Sequence, residues 1–446
     1  MTAADGAKFA FTTTDGLLGS WSVADGTLLL TVGDLSGNYW IGRGGDGRMS
    51  TAANWLNGVP AAGADIDLSF VSSGTTLIAD AERTFGAVTM GDGVITFTNA
   101  MAATSFSDLS KIAVAVDSTV TIAGDVTITE SSQKLCNTIA AGGKLRITGL
   151  LEIKHSSGTF TFLSNWGAGA VVAEGGISVN TTEIATMNAK ALVLGENGLT
   201  FAKNGEFRFK AQGQGDDKEK PVVYALGATT VIGSGASKGK LRGDYAPFTF
   251  RTTQFESNLP ATITFNSSID GATNWNAQWA VDGCGRVVCT STSKADRGVR
   301  VKNGATLSLN PGFSITSQTD QNFYVNSGAT LEVAASGTVS FYGKSFNLLD
   351  GSTLAFNFTE RETAPVLALA NIAAPTISGA VKVKVSGSVW PKSGEYQLTT
   401  CGGFGAEGVT VSLAAGAPKW VTGLTVNGDG NIVLSVKPMG TIFIVR

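Results

Sequence analysis

The chain has 446 residues, 57 of them glycine, with 15% charged residues and a formal net charge of −3. So small an acidic excess offers no long-range attraction to DNA, RNA or anionic lipid, and 43% hydrophobic residues give more surface to bury than a disordered chain has. No run of about 18 apolar residues exists, so no transmembrane helix is expected, and the opening "MTAADGAKFAF" shows no signal peptide.

Glycine, serine, threonine, valine and alanine fill the space left by charge. Many short strands joined by tight turns follow, because β-branched side chains suit a pleated surface and glycine adopts positive φ freely. The first such element is "DGTLLLTV" at 25–32, which matches "DGNIVLSV" at 429–436, with Gly19 and Gly423 aligned upstream. Residues 1–35 are therefore expected to be a tail-like β segment resembling the end of a preceding module.

Next comes "GNYWIGRGGDGRMSTAANWLNGVPAAGADIDLSF", residues 37–70, the least generic stretch. It combines Trp40, Trp55, a glycine run, Arg43, Arg48 and the carboxylates Asp46, Asp65 and Asp67. Residues 36–70 are read as a joint and cap, with Trp40, Asp46 and Trp55 at the seam between modules or molecules. Arg43 and Arg48 are expected over aromatic faces. Two other readings concern the same residues: an exposed Trp40/Trp55 platform for sugars, and a weak calcium site at Asp46, Asp65 and Asp67.

Residues 71–378 are expected to form a β-solenoid. "NGATLSL", "SGATLEV" and "DGSTLAF" place Gly304, Gly328 and Gly351 at intervals of 24 and 23 residues. After each glycine an alternation sends Leu307 and Leu309, Leu331 and Val333, Leu354 and Phe356 to one side. A turn plus a half-polar strand repeated at this period makes coils that stack in register, about fourteen of them, in a long rod. Val120, Ile122, Val126, Ile128, Leu145, Ile147, Val381, Val383 and Val385 are expected to point inward in less regular copies of the unit. The section 205–300 reads as solenoid with longer loops, and residues 379–446 as a β-rich cap.

The motif "YWIGRGGDGRMSTAANWLNGVPAAGADIDLSF" resembles the opening of autotransporter-associated β-strand repeat proteins of bacteria. Trp40, Gly42, Gly44, Gly45, Gly47, Asn54, Trp55, Gly58, Pro60 and Gly63 match, while Met49 replaces the usual second tryptophan and the aspartate is displaced to Asp65. The resemblance implies an all-β chain, a right-handed parallel β-helix with β-rich N- and C-terminal capping segments, secreted or displayed at the cell surface. Its motifs specify architecture rather than activity, and the expected role is a non-catalytic structural or adhesive module; open solenoid ends and the tail-like match between residues 25–32 and 429–436 point to self-association or neighbouring modules as partners.

The runner-up function is a carbohydrate-active or glycan-binding β-helix, which requires catalytic or sugar-binding side chains. Trp275 and Trp279 in "NWNAQW" form either a glycan shelf, with Asn274, Asn276 and Gln278 as hydrogen-bonding neighbours, or a buried loop cluster. "RVK" at 300–302 mimics an element that binds substrate carboxylates in polygalacturonases, but Arg300 and Lys302 read better as outward side chains of an alternating strand. The single histidine, His155, is expected in a turn rather than in a nucleophilic triad, and Asp216 and Asp217 fall in a lysine-rich turn. Four cysteines are too scattered for a zinc site, and Cys284 and Cys289 either close a small loop or remain thiols on one strand and its turn. No catalytic residue and no cofactor is assigned.

Overall fold

The computed structural model describes residues 11–12, 18–24, 27–33, 36–80, 83–210, 220–234, 239–244, 248–270, 279–290, 294–295, 298–302, 304–316, 322–342, 345–370, 375–400 and 402–438. It is nearly all β, a stack of parallel strands in the manner of a β-helix, and its only helical pieces among the described residues are two short 3-10 turns. Among those residues no helix is long and apolar enough to cross a membrane. The chain divides into two compact units, one comprising 1–126, 132–150 and 161–172, the other 127–131, 151–160 and 173–446.

The first unit opens with an antiparallel set, Phe11–Thr12 on Leu18–Ala24 and Leu18–Ala24 on Thr27–Gly33. A parallel ladder then begins. Ile66–Leu68 pairs with Thr84–Met90, Thr76–Ala79 with Ile95–Phe106, and Thr119–Ile122 with both Ile95–Phe106 and Lys144–Ile147. The alternating strand pattern turns Leu68, Leu77, Val88, Phe97, Val120, Ile122, Leu145 and Ile147 into a closed core.

In the second unit the chain visits three parallel sheets in rotation. Leu199–Phe201, Glu206–Lys210 and Val222–Ala225 occupy one position each, and Thr229–Ser234 returns to the first. Register is kept residue for residue: Leu307 lies against Leu331, Leu331 against Leu354, and Leu354 against Val383. The expected in-register stacking of like side chains is thus present, and it has a simple cause. Gly304, Gly328 and Gly351 all adopt positive φ, near 70–80°, so each turn has the same shape and delivers the next strand in phase.

The section 205–300 keeps all three sheets, and the register runs from Thr229 to Thr262 to Arg286 to Thr306 despite its longer connections. The coil limits are wider than the sequence suggested. Ile66–Leu68 already belongs to the parallel ladder, and Ala380–Gly387 and Thr410–Leu413 extend it beyond residue 378. Segments expected as caps are therefore interleaved with coils. The C-terminal cap proper is an antiparallel sheet with Ile432–Val436 between Gly394–Gln397 and Val421–Val426.

Candidate functional site

The Trp/Gly stretch lies wholly in the first unit and folds back on the outermost strands of its ladder. Trp40 N–H donates to the Asp67 carbonyl at 2.9 Å, and Asp67 N–H to that of Asn38 at 2.9 Å. Met49 N–H donates to Ile78 and Ile78 N–H to Gly47, at 2.9 and 2.8 Å. Residues 38–49 thus occupy hydrogen-bonding positions on Ile66–Leu68 and Thr76–Ala79 that would otherwise be left as open edges.

Trp40 and Trp55 face each other in an antiparallel bridge, with their rings edge to face at 5.0 Å. Both are buried, together with Met49 and Phe85, and Trp55 Nε1 donates to the Met49 carbonyl at 2.9 Å. Neither indole offers a face to solvent, so an exposed sugar platform is not formed. Met49, in the place of the usual second tryptophan, supplies core volume and the carbonyl that satisfies Trp55.

Asn54 organises the polar side of this turn, a role the sequence reading did not assign. Its side chain is fully buried; Nδ2 donates to Asp46 Oδ1 at 2.7 Å and to the Arg48 carbonyl at 2.9 Å, while Oδ1 accepts from Gly44 N–H at 2.7 Å. Its carbonyl also accepts from Ile41 and Gly42. The only sequence signal was its place in the motif, since a buried amide is invisible to periodicity.

Asp46 accepts from Thr51 Oγ1 at 2.7 Å and from Arg48 N–H at 3.0 Å. Asp65 accepts from Ala87 N–H and Asp67 from Ser69 N–H, both at 2.7 Å. The three carboxylates serve three separate backbone turns, and among the described residues no group of three or more acidic, histidine or cysteine side chains converges as a metal site. The arrangement does not assemble the weak calcium site. Arg48 also departs from expectation: it pairs with Asp80 at 3.3 Å instead of covering a ring.

Two carboxylates, Asp46 and Asp80, make the cap acid-sensitive. The Thr51 hydroxyl, then Arg48 N–H, hold Asp46 below the ordinary 3.8, and the Ser50 hydroxyl foremost does the same for Asp80. Because the folded values lie below the unfolded ones, their stabilisation is complete above pH 3.8 and is lost as pH falls through the lowered values. Hydrogen exchange in residues 38–55 is expected to accelerate before that of the coils when pH is stepped down through this range. Simultaneous loosening of cap and coils would contradict it.

Elsewhere, Trp279 is 1% exposed, with its ring 5.8 Å from Phe250, so its indole belongs to the core rather than to an exposed glycan shelf. Asn274, Trp275, Asn276 and Gln278, like Asp216 and Asp217, lie outside the described residues. His155 is buried beside Phe160; its Nδ1 lies 3.2 Å from the Ser157 carbonyl and its Nε2 has no partner among the described residues. Arg300 is half-buried on the outward side of Val299–Val301, where alternation put it, and Lys302 just beyond the strand is half-buried too.

Cys136, Cys284 and Cys289 are free thiols, and Cys401 lies outside the described residues. Cys284 is exposed in a turn, whereas Cys289 points into the core from Arg286–Cys289. Burial pushes Cys136 up to about 12 and Cys289 in the same direction. Among these three thiols, Cys284 is expected to react with iodoacetamide in the native protein, and Cys136 and Cys289 only after unfolding. Mass spectrometry of tryptic peptides reads this directly, and rapid native labelling of Cys289 would contradict its placement.

A cluster the sequence reading overlooked sits on the second unit. Glu206, almost buried, pairs with Arg208, with Lys240 at 3.5 Å and with Arg242 at 3.8 Å. Parallel register assembles it by setting Glu206 against Lys240 and Arg208 against Arg242. Its chemistry is that of a closed ion network, with the carboxylate enclosed by cations.

Compared with known proteins, the chain matches no family model, no curated protein and no solved structure.

Proposed function

We propose that this chain is a non-catalytic architectural module of a secreted or cell-surface bacterial protein. Its β-solenoid is suited to repetition in tandem or to head-to-tail association. The supporting observation is the likeness of its two terminal hairpins. "DGTLLLTV" and "DGNIVLSV" share a sequence pattern, and each forms the second strand of an antiparallel pair, Leu18–Ala24 with Thr27–Gly33 and Val421–Val426 with Ile432–Val436.

The pairs differ in one respect that bears on assembly. Ile432–Val436 receives Gly394–Gln397 on its other side, whereas Thr27–Gly33 has no second partner among the described strands. A free β edge accepts a strand, and a strand like Gly394–Gln397 from a neighbouring module has the matching pattern. The motif shared with autotransporter-associated repeat proteins supports the extracellular setting, and the use of Trp40, Asp46, Asn54 and Trp55 in closing the first unit supports architecture over chemistry.

Sedimentation velocity over a concentration series, with negative-stain imaging of the same samples, tests the proposal. The expected result is species that grow with concentration by end-to-end addition. Dispersed monomers at the highest concentration would remove head-to-tail association, and turnover of any polysaccharide in a substrate panel would remove the non-catalytic reading.

A further inference from the structure

On the second unit, one sheet face departs from the small polar surface of its neighbours. Tyr224 lies in register with Arg251, and Arg251 with Asp282; beside them Ala280 aligns with Arg300, and Arg300 with Tyr324. Phe250, Val281, Val301 and Val325 alternate with these residues and fill the core, which fixes the others outward. The face carries two tyrosines and a row of cations on a rigid ladder.

The charges are unevenly matched. Arg251 pairs with Asp282 at 3.2 Å. Arg300 has its guanidinium 4.5 Å from the centre of the Tyr324 ring, and its Nε is buried without an acceptor among the described residues, as is that of Arg251. Among the described residues, Arg300, Lys220 and Arg251 act on Lys302 against the carboxylate of Asp282; burial first, then Arg300, draws its ammonium below the ordinary lysine range.

We infer that this face, built on Lys220, Tyr224, Arg251, Arg300, Lys302 and Tyr324, binds an acidic polysaccharide, a linear chain bearing carboxylates or sulfates. Three features select that partner. Arg251 and Arg300 sit two strands apart, about 9.6 Å, with Asp282 on the strand between, so an extended polyanion lying along the stack meets a guanidinium at every second strand. Tyrosine rings suit the apolar faces of sugars, while guanidinium groups take planar oxyanions in paired hydrogen bonds. The strands here are paired on both sides, so a peptide seeking a β edge finds none. The inference goes beyond the architectural role and stands independently of head-to-tail assembly.

Affinity electrophoresis of the intact chain in gels containing polygalacturonate, dextran sulfate or neutral dextran tests it, with single-stranded DNA as a competing polyanion. Retardation by at least one acidic polysaccharide and none by neutral dextran is expected, and comparison of the two acidic gels tells carboxylate from sulfate recognition. The double substitution Arg300→Gln, Lys302→Gln should weaken retention about tenfold or more, while Lys382→Gln with Lys384→Gln on another sheet leaves it unchanged. Thermal melts of both variants verify folding, and Arg300→Lys with Lys302→Arg, which keeps the charge, separates loss of binding from loss of structure. No retardation by either polyanion, equal weakening by the two glutamine pairs, or stronger binding of DNA than of either polysaccharide would each overturn the assignment.

Discussion

Phe250→Ala is expected to destabilise the second unit by about 3–5 kcal/mol, the usual cost of emptying a buried aromatic site. Phe250 is fully buried in Thr249–Gln254 and meets Phe248 at 5.3 Å, Trp279 at 5.8 Å and Phe265 at 6.1 Å. Trp279 belongs to a neighbouring strand in the ladder, and Phe265 faces inward from a different sheet of the stack. Removing one ring therefore loosens two of the three sheets at the same level. In a stack whose members contact only their neighbours, cooperativity is carried by such interfaces, so the variant should also unfold over a broader denaturant range. Urea unfolding followed by circular dichroism measures both effects, and a loss below about 1 kcal/mol would mean that the site collapses without cost.

Trp55→Ala should have a comparable effect, about 3–5 kcal/mol, but confined to the first unit. The indole is 2% exposed, lies edge to face with Trp40, contacts the Phe85 ring at 6.4 Å and donates to the Met49 carbonyl. Its loss opens a cavity and orphans that carbonyl, and the adjoining backbone bonds at Ile41, Gly42 and Leu56 hold the same turn. Trp55→Phe, which keeps most of the volume and loses only the N–H donor, should recover most of the stability. If Trp55→Ala leaves urea unfolding unchanged while abolishing binding of some ligand, the residue belongs to a site and the capping role is wrong.

Much of the fold is legible in the sequence because solenoid coils repeat their instructions. Gly304, Gly328 and Gly351 with their alternating strands state both turn and register, and Leu307, Leu331 and Leu354 stack as written. The boundaries are less legible, since Ala380–Gly387 and Thr410–Leu413 continue the ladder while the intervening Gly394–Gln397 already serves the antiparallel cap. No local pattern separates the two uses of a strand.

Side-chain roles follow the same division. Strand parity places Trp279 with Val281 in the core, in agreement with the buried alternative for that residue. The pairing of Arg48 with Asp80, 32 residues apart, depends on how the edge segment docks, and the Glu206 network depends on which coils become neighbours. Long-range contacts of this kind have no signature within any short window. Asn54 combines both difficulties, being a short polar side chain whose partners at Gly44, Asp46 and Arg48 meet only after the turn has closed.

Residues 38–55 close an open β edge of the first unit through backbone hydrogen bonds to Asp67 and Ile78. Residue-resolved amide exchange on the intact chain tests it most directly, through the amides of Trp40, Met49, Asp67 and Ile78, which carry the edge hydrogen bonds. Protection of these four comparable to that of Val120 and Leu145 within the same unit is the expected result. Exchange at the rate of an open loop, with Val120 and Leu145 still protected, would contradict the claim.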